Sequence, residues 1–175
     1  YFSVQKGFGL PAGLAVLICS PRMFDRALEI EKSASPVGSY HRFSNLKKYA
    51  DRKQTPETPN ALGIYLLGRV AEAMLAQGEG LLQQHHEKAK RIYAFFSNFP
   101  GLRPFIQAEE FRSETAIVLE SDTPAQEWIA KLAAAGFVIG AGYGSYKTKQ
   151  LRIANFPSTS LADVEELLTA FQACV

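Results

Sequence analysis

Ser3-Val4-Gln5-Lys6-Gly7-Phe8-Gly9-Leu10-Pro11-Ala12-Gly13 is the stretch on which the reading of this chain turns. Tyr1-Phe2-Ser3-Val4 has the residue types of a strand, and residues 7–13 are dense in turn formers. Lys6 therefore falls where a strand ends in a glycine-rich loop. A lysine that condenses with a carbonyl needs a rigid support, a lowered pKa and small neighbours that let a flat partner approach the backbone. The strand end and the glycines supply the first and the third. On composition alone, a lysine beside such a turn is usually a solvated loop residue, so the rest of the chain has to decide.

Immediately downstream, Leu14-Ala15-Val16-Leu17-Ile18-Cys19 is a continuous apolar run of strand length, as expected for a strand buried on both faces. Ser20-Pro21 then starts a helix running towards Lys32, with Ser as cap and Pro in the first turn. A short helix is expected around Ser44–Asp51. Thr58-Pro59 repeats the cap-plus-proline signal before a long helix, in which Leu62, Tyr65, Leu66, Val70 and Met74 keep helical spacing. A break at Gly78–Gly80 leads into a second helix, Leu81 to about Phe96, and Phe99-Pro100-Gly101 marks a boundary.

Beyond that boundary the texture is that of a small α+β unit. Strands are expected near Arg103–Gln107, Thr115–Glu120, Phe137–Gly140 and Gln150–Phe156. Thr123-Pro124-Ala125-Gln126 reads as a capping box for a helix that ends at Gly136, and Ser160-Leu161-Ala162-Asp163 caps the last helix. The organisation is thus residues 1–98, a strand-and-helix segment with long connecting helices, and residues 99–175, a compact α+β domain. The chain opens without Met and inside a strand-like run, which is expected of a piece of a longer protein.

Composition excludes several classes. Of 175 residues, 47% are hydrophobic and 21% charged, which suits a globular core. The net charge is +2 and the basic residues are scattered, so no nucleic-acid or anionic-membrane partner is indicated. Gly13 to Cys19, the longest apolar stretch, is too short to span a bilayer. Cys19 and Cys174 are far apart, with neither a disulfide nor a metal-ligand spacing, which favours a reduced, cytoplasmic setting and no metal.

Three separated motifs together resemble one family. S-x-Q-K-G-x-G-x-P-A-G around Lys6, Q-T-P-E-T-P-N at 54–60 and L-R-I-A-N-F-P at 151–157 occur in the order found in class V aminotransferases. That group contains phosphoserine aminotransferases and alanine–glyoxylate aminotransferases. The resemblance covers the whole chain and implies an α/β fold, the pyridoxal-phosphate-dependent transferase fold of type I. Residues 1–98 would be the end of the large cofactor-binding domain with its connecting helices, and 99–175 the small C-terminal α+β domain.

The resemblance also assigns roles. Lys6 would carry pyridoxal 5'-phosphate and serve as the acid–base group at the substrate's Cα. Gln5 would bond the cofactor phosphate. Gln54 and Thr55 match the pair that reaches across a homodimer interface to the partner's cofactor phosphate, although Thr55-Pro56 could equally just shape a turn. Arg152 matches the arginine that holds the substrate's α-carboxylate, where otherwise it would be the exposed face of a strand. The implied substrates are an amino acid and a 2-oxo acid, in the phosphoserine-type reaction 3-phosphohydroxypyruvate with glutamate.

Substrate choice is the least defined part. Phosphoserine aminotransferases typically place a His-Arg pair shortly before the carboxylate arginine. Gly144-Ser145-Tyr146-Lys147-Thr148-Lys149-Gln150 has none, leaving Lys147 or Lys149 as replacement point charges or a substrate without phosphate. His85-His86 reads as solvated, and His41-Arg42 sits in no usable motif. Cysteine desulfurases of the same fold usually have His where Gln5 stands and need a cysteine on a mobile loop, which disfavours that chemistry. An alanine–glyoxylate-type transaminase and a non-catalytic dimerising domain remain as alternatives. The family's pyridine-binding Asp, stacking aromatic and phosphate loop come before the lysine, so these residues alone are expected neither to retain the cofactor well nor to transaminate.

Overall fold

Apolar residues that alternate along a strand need a layer of helices on one side only, and the second half of this chain supplies that arrangement. A computed structural model describes residues 1–33, 38–40 and 42–175. They form two compact units, Tyr1–Lys6 with Leu10–Arg69, and Gly7–Gly9 with Val70–Val175. His41 lies outside the described residues.

The first unit contains β1 (Phe2–Ser3) and β2 (Ala15–Val16), paired antiparallel as Phe2 with Val16 and Ser3 with Ala15. The apolar run from Leu14 to Cys19 is therefore not a long strand buried on both faces: Leu17 is 51% exposed and Ile18 80%. Among the described residues no further strand pairs with this two-stranded ribbon. Helix α1 (Pro21–Lys32) starts as expected, with the Ser20 side chain accepting from the Met23 amide at 3.3 Å and Pro21 in the first turn. Helix α2 (Phe43–Asp51) is tied to α1 through Ser44, whose hydroxyl and amide both donate to the Glu31 carboxylate. Those bonds hold Glu31 below the usual carboxylate pKa.

Helix α3 (Ala61–Gln77) begins in the first unit and ends in the second. Its cap is Asn60, not Thr58: the Asn60 side chain accepts from the Gly63 amide at 2.9 Å. The expected glycine break is a single residue, Gly78, at φ +55°, after which α4 (Glu79–Phe96) begins.

In the second unit, four strands form one antiparallel sheet in the order β3 (Leu102–Pro104), β4 (Ala116–Ser121), β6 (Gln150–Ala154), β5 (Gly140–Ala141). Register is set by Leu102 opposite Ser121, Val118 opposite Arg152 and Gly140 opposite Arg152. Leu102, Ile117, Leu119, Leu151 and Ile153 are buried together with residues of α4, of α5 (Ala125–Ala134) and of α6 (Leu161–Ala173). Phe96, Phe99, Trp128 and Phe171 form the aromatic centre, with Phe96 and Phe171 edge to face at 4.9 Å. By strand alternation Val118, Glu120 and Arg152 point to the opposite, open face.

Two details depart from the sequence reading. Val138 is 96% exposed, and the strand expected over Phe137–Gly140 forms only at Gly140–Ala141. Helix α5 carries no side-chain cap from Thr123: the Ala125 amide instead donates to the Thr148 carbonyl at 2.9 Å. Ser160, in contrast, forms the full capping box with Asp163.

Candidate functional site

Lys6 stands in the turn that comes after β1. Val4 is 1% exposed and fixes that turn at both ends: its amide donates to the Leu14 carbonyl at 3.3 Å, and its carbonyl accepts from Leu10 at 3.1 Å. The loop can close this tightly because Gly9 and Gly13 take φ of +65° and +117°, which side-chain-bearing residues rarely adopt. A side chain built at Gly7 would meet no described atom within 4 Å beyond its chain neighbours. Gln5 and Lys6 are exposed, and neither side chain hydrogen-bonds a described residue. An accessible primary amine on a tied turn beside a carboxamide is a donor set that fits an aldehyde carrying a phosphate.

Gln54 and Thr55 lie on an exposed turn after α2, where the Gln54 amide donates to the Tyr49 carbonyl at 2.9 Å. The Thr55 hydroxyl donates to the Glu57 carbonyl at 2.5 Å. A hydroxyl has one proton, so in this rotamer Thr55 shapes its turn, and giving a bond to an anion would require the hydroxyl to rotate. No hydrogen bond joins Gln5 or Lys6 to Gln54 or Thr55 among the described residues.

Arg152, in the second unit, is held in a defined pose. Its Nε donates to the Ala141 carbonyl at 2.6 Å, and its guanidinium carbon lies 3.8 Å from the centre of the Tyr143 ring. The terminal nitrogens make no hydrogen bond or ion pair with a described residue, so the side of the fork that suits a carboxylate is available. Alternation with Leu151 and Ile153 predicts an exposed strand face for this arginine, and Arg152 is instead half-buried. Sequence reasoning passed over Tyr143. The one signal for it was an aromatic set between glycines, Gly142-Tyr143-Gly144, ahead of the arginine strand.

Lys147 and Lys149 flank Thr148 at the end of the loop leading into β6. Both are exposed, and neither ammonium pairs with a described residue. His86 is exposed and contacts Glu114 at 2.6 Å. His85 is not simply solvated: it is half-buried, its Nδ1 is shut off from solvent without a partner, and burial together with Lys88 lowers its pKa. Among the described residues no group of three His, Cys, Asp or Glu side chains could hold a metal, and no helix is long and apolar enough to cross a membrane.

No protein-family profile matches the chain. It is 28% identical over 171 residues to the phosphoserine aminotransferase of Nocardioides sp. (strain ATCC BAA-499 / JS614), covering 95% of this chain and 46% of that protein. The crystal structure of a phosphoserine aminotransferase from Cytophaga hutchinsonii ATCC 33406 superposes with a TM-score of 0.94 at 38% identity, over 98% of this chain and 48% of that one. An alanine–glyoxylate aminotransferase from Nostoc sp. superposes at 0.84 with 17% identity, over 98% of this chain and 46% of that one, a likeness of fold. The chain spans about half the length of the relatives it matches.

Proposed function

From a chain whose homologues are phosphoserine aminotransferases, and whose fold is that of the C-terminal half of class V aminotransferases, we propose that it contributes the catalytic lysine and the carboxylate-binding arginine of a pyridoxal-phosphate-dependent transaminase. The reaction is the exchange of an amino group between an amino acid and a 2-oxo acid, with 3-phosphohydroxypyruvate and glutamate as the pair. The observation that carries this reading is the pose of Arg152, braced at Nε and by a ring yet with both terminal nitrogens uncommitted.

Within this reading, Lys6 and Gln5 hold the cofactor by its aldehyde and phosphate, and Gln54 and Thr55 reach the phosphate of a partner subunit. When bound, the cofactor supplies an electron sink that makes the substrate's Cα–H bond acidic. Lys6, released from the aldehyde carbon when the substrate's own amine takes its place there, would then be a free amine able to take that proton. Arg152 grips the α-carboxylate with two parallel N–H bonds and so orients the end of the substrate that carries it. Lys147 or Lys149 supplies positive charge for a substrate phosphate.

The same reading divides the protein into a large domain that ends at residue 98 and a small domain from 99. It also carries a homodimer and a cytoplasmic location. Support for association comes from α3, whose Leu62, Ile64, Tyr65 and Leu75 are exposed, and support for a reducing compartment from two unpaired cysteines, Cys19 and Cys174.

Borohydride reduction of the full-length protein loaded with pyridoxal phosphate, followed by peptide mass mapping, should place the pyridoxyl label on Lys6. Lys6→Ala should abolish labelling and turnover. Arg152→Leu should keep the label while raising KM for the amino donor and the oxo acceptor alike, by about a hundredfold or more. A label elsewhere, or none, defeats the proposal.

A further inference from the structure

Gly140-Ala141-Gly142-Tyr143-Gly144 has no part in the proposed chemistry beyond one carbonyl, yet it is shaped around Arg152. The guanidinium lies across Gly140, where a side chain's first carbon would come within 3.1 Å of its terminal nitrogen. The Ala141 carbonyl takes the Nε proton. At Gly142 such a carbon would sit 2.5 Å from the Tyr146 carbonyl oxygen and 2.9 Å from the Gln150 side chain, so the chain can pass only as glycine. Gly144 turns it away at φ +54°. Between these two glycines Tyr143 is delivered onto the face of the guanidinium, 3.8 Å from ring centre to Cζ.

The choice of an aromatic partner matters chemically. A carboxylate partner would occupy the fork that a ligand needs. A ring holds a cation through its face and uses none of the five N–H donors. Tyr143 is itself 70% exposed, so its ring adds little to the core.

We propose that Tyr143 is a positioning residue for Arg152: its stacked ring holds the guanidinium flat, with the terminal nitrogens presented to a substrate carboxylate. The proposal rests on the carboxylate-binding reading of Arg152. Without the ring, Arg152 is held at Nε alone, and each carboxylate that binds must order the rest of a long side chain. Ordering one such side chain weakens binding by about three- to tenfold.

The test compares Tyr143→Leu, Tyr143→Phe and Arg152→Leu in the full-length protein. Tyr143→Leu should raise KM for the amino acid and the 2-oxo acid by the same factor, about three- to tenfold, with kcat little changed. Tyr143→Phe keeps the ring and should restore KM. A second readout needs no turnover. The Arg152 Nε–H resonance of the 15N-labelled protein, assigned by its loss in Arg152→Leu, should be shifted upfield by the ring and should return towards the other arginines in Tyr143→Leu only.

Both readouts must move together. If Arg152→Leu raises KM but Tyr143→Leu leaves KM or the resonance unmoved, the positioning role is overturned while the carboxylate site stands. If Tyr143→Phe behaves as Tyr143→Leu, the hydroxyl and not the stack is responsible, and the proposal is equally overturned. If Arg152→Leu leaves KM unchanged, the carboxylate site itself is lost and the inference with it.

Discussion

His85 shows how a single residue can be misjudged from its neighbours in sequence. Beside His86 on a polar helix it reads as solvated, but its Nδ1 is shut off from water, and Asn155, fully buried, donates to its backbone carbonyl at 3.0 Å. Lys88, one turn along the same helix, is buried too and donates to the carbonyls of Phe156 and Thr159 at 2.9 and 2.6 Å. Burial first and the Lys88 charge second pull the His85 pKa down, Glu114 opposes them, and His86 adds a smaller push in the same direction. The unfolded chain, whose histidines titrate near about 6.5, then binds more protons than the folded one just below that pH. Stability is therefore present above about pH 6.5 and declines as the pH falls through the window beneath it. Thermal melts of the protein should show this loss between about pH 7 and 5.5, and His85→Gln should flatten it. An unchanged slope in that variant would assign the acid sensitivity to other groups. Lys6 and Arg152 stand out as candidates at this scale because each sits inside a motif; Tyr143 does not, because no motif couples it to an arginine on the neighbouring strand.

At the scale of elements, helix starts separate into those a residue caps for itself and those the fold satisfies. Ser160 accepts from the Asp163 amide at 3.1 Å and its own amide donates to Asp163 at 2.7 Å, so both donors are met locally. The Thr123 signal looked equivalent, but the first amide of α5 is already taken by Thr148 from across the chain. Ser160→Ala should cost about 1 kcal/mol of stability in urea unfolding. Thr123→Ala should stay within about 0.5 kcal/mol. Equal losses would mean that Thr123 caps after all. The same distinction explains the strands. The strand expected over Gln150–Phe156 forms at Gln150–Ala154, whereas Leu14–Cys19 has the composition of a buried strand and forms only two paired residues.

For the molecule as a whole, the second unit rests on one aromatic centre spanning α4, α5 and α6. Phe171 is fully buried and contacts Phe96 at 4.9 Å, Phe99 at 6.1 Å and Trp128 at 5.9 Å. Phe171→Ala should cost about 3–5 kcal/mol through lost contacts and the cavity left behind. That is a large share of the roughly 5–15 kcal/mol by which a domain is stable. Trp128, the only tryptophan, makes its fluorescence a reporter of this unit in urea titration. A midpoint unmoved in the variant would show that α6 is not part of the cooperative core.

What the amino-acid sequence determined by itself was local and chemical. Lys6 in the glycine-rich turn after a short strand, Ser20-Pro21 and Ser160–Asp163 at helix starts, and Arg152 between two core residues all depend on side chains a few positions apart. Tertiary structure alone decided which distant group meets each donor, acceptor or cation: the Thr148 carbonyl for the Ala125 amide, the Asn155 side-chain amide for the His85 carbonyl, the Tyr143 ring for Arg152. Such partners are chosen by register and packing, and a periodicity of two or 3.6 residues carries no information about either.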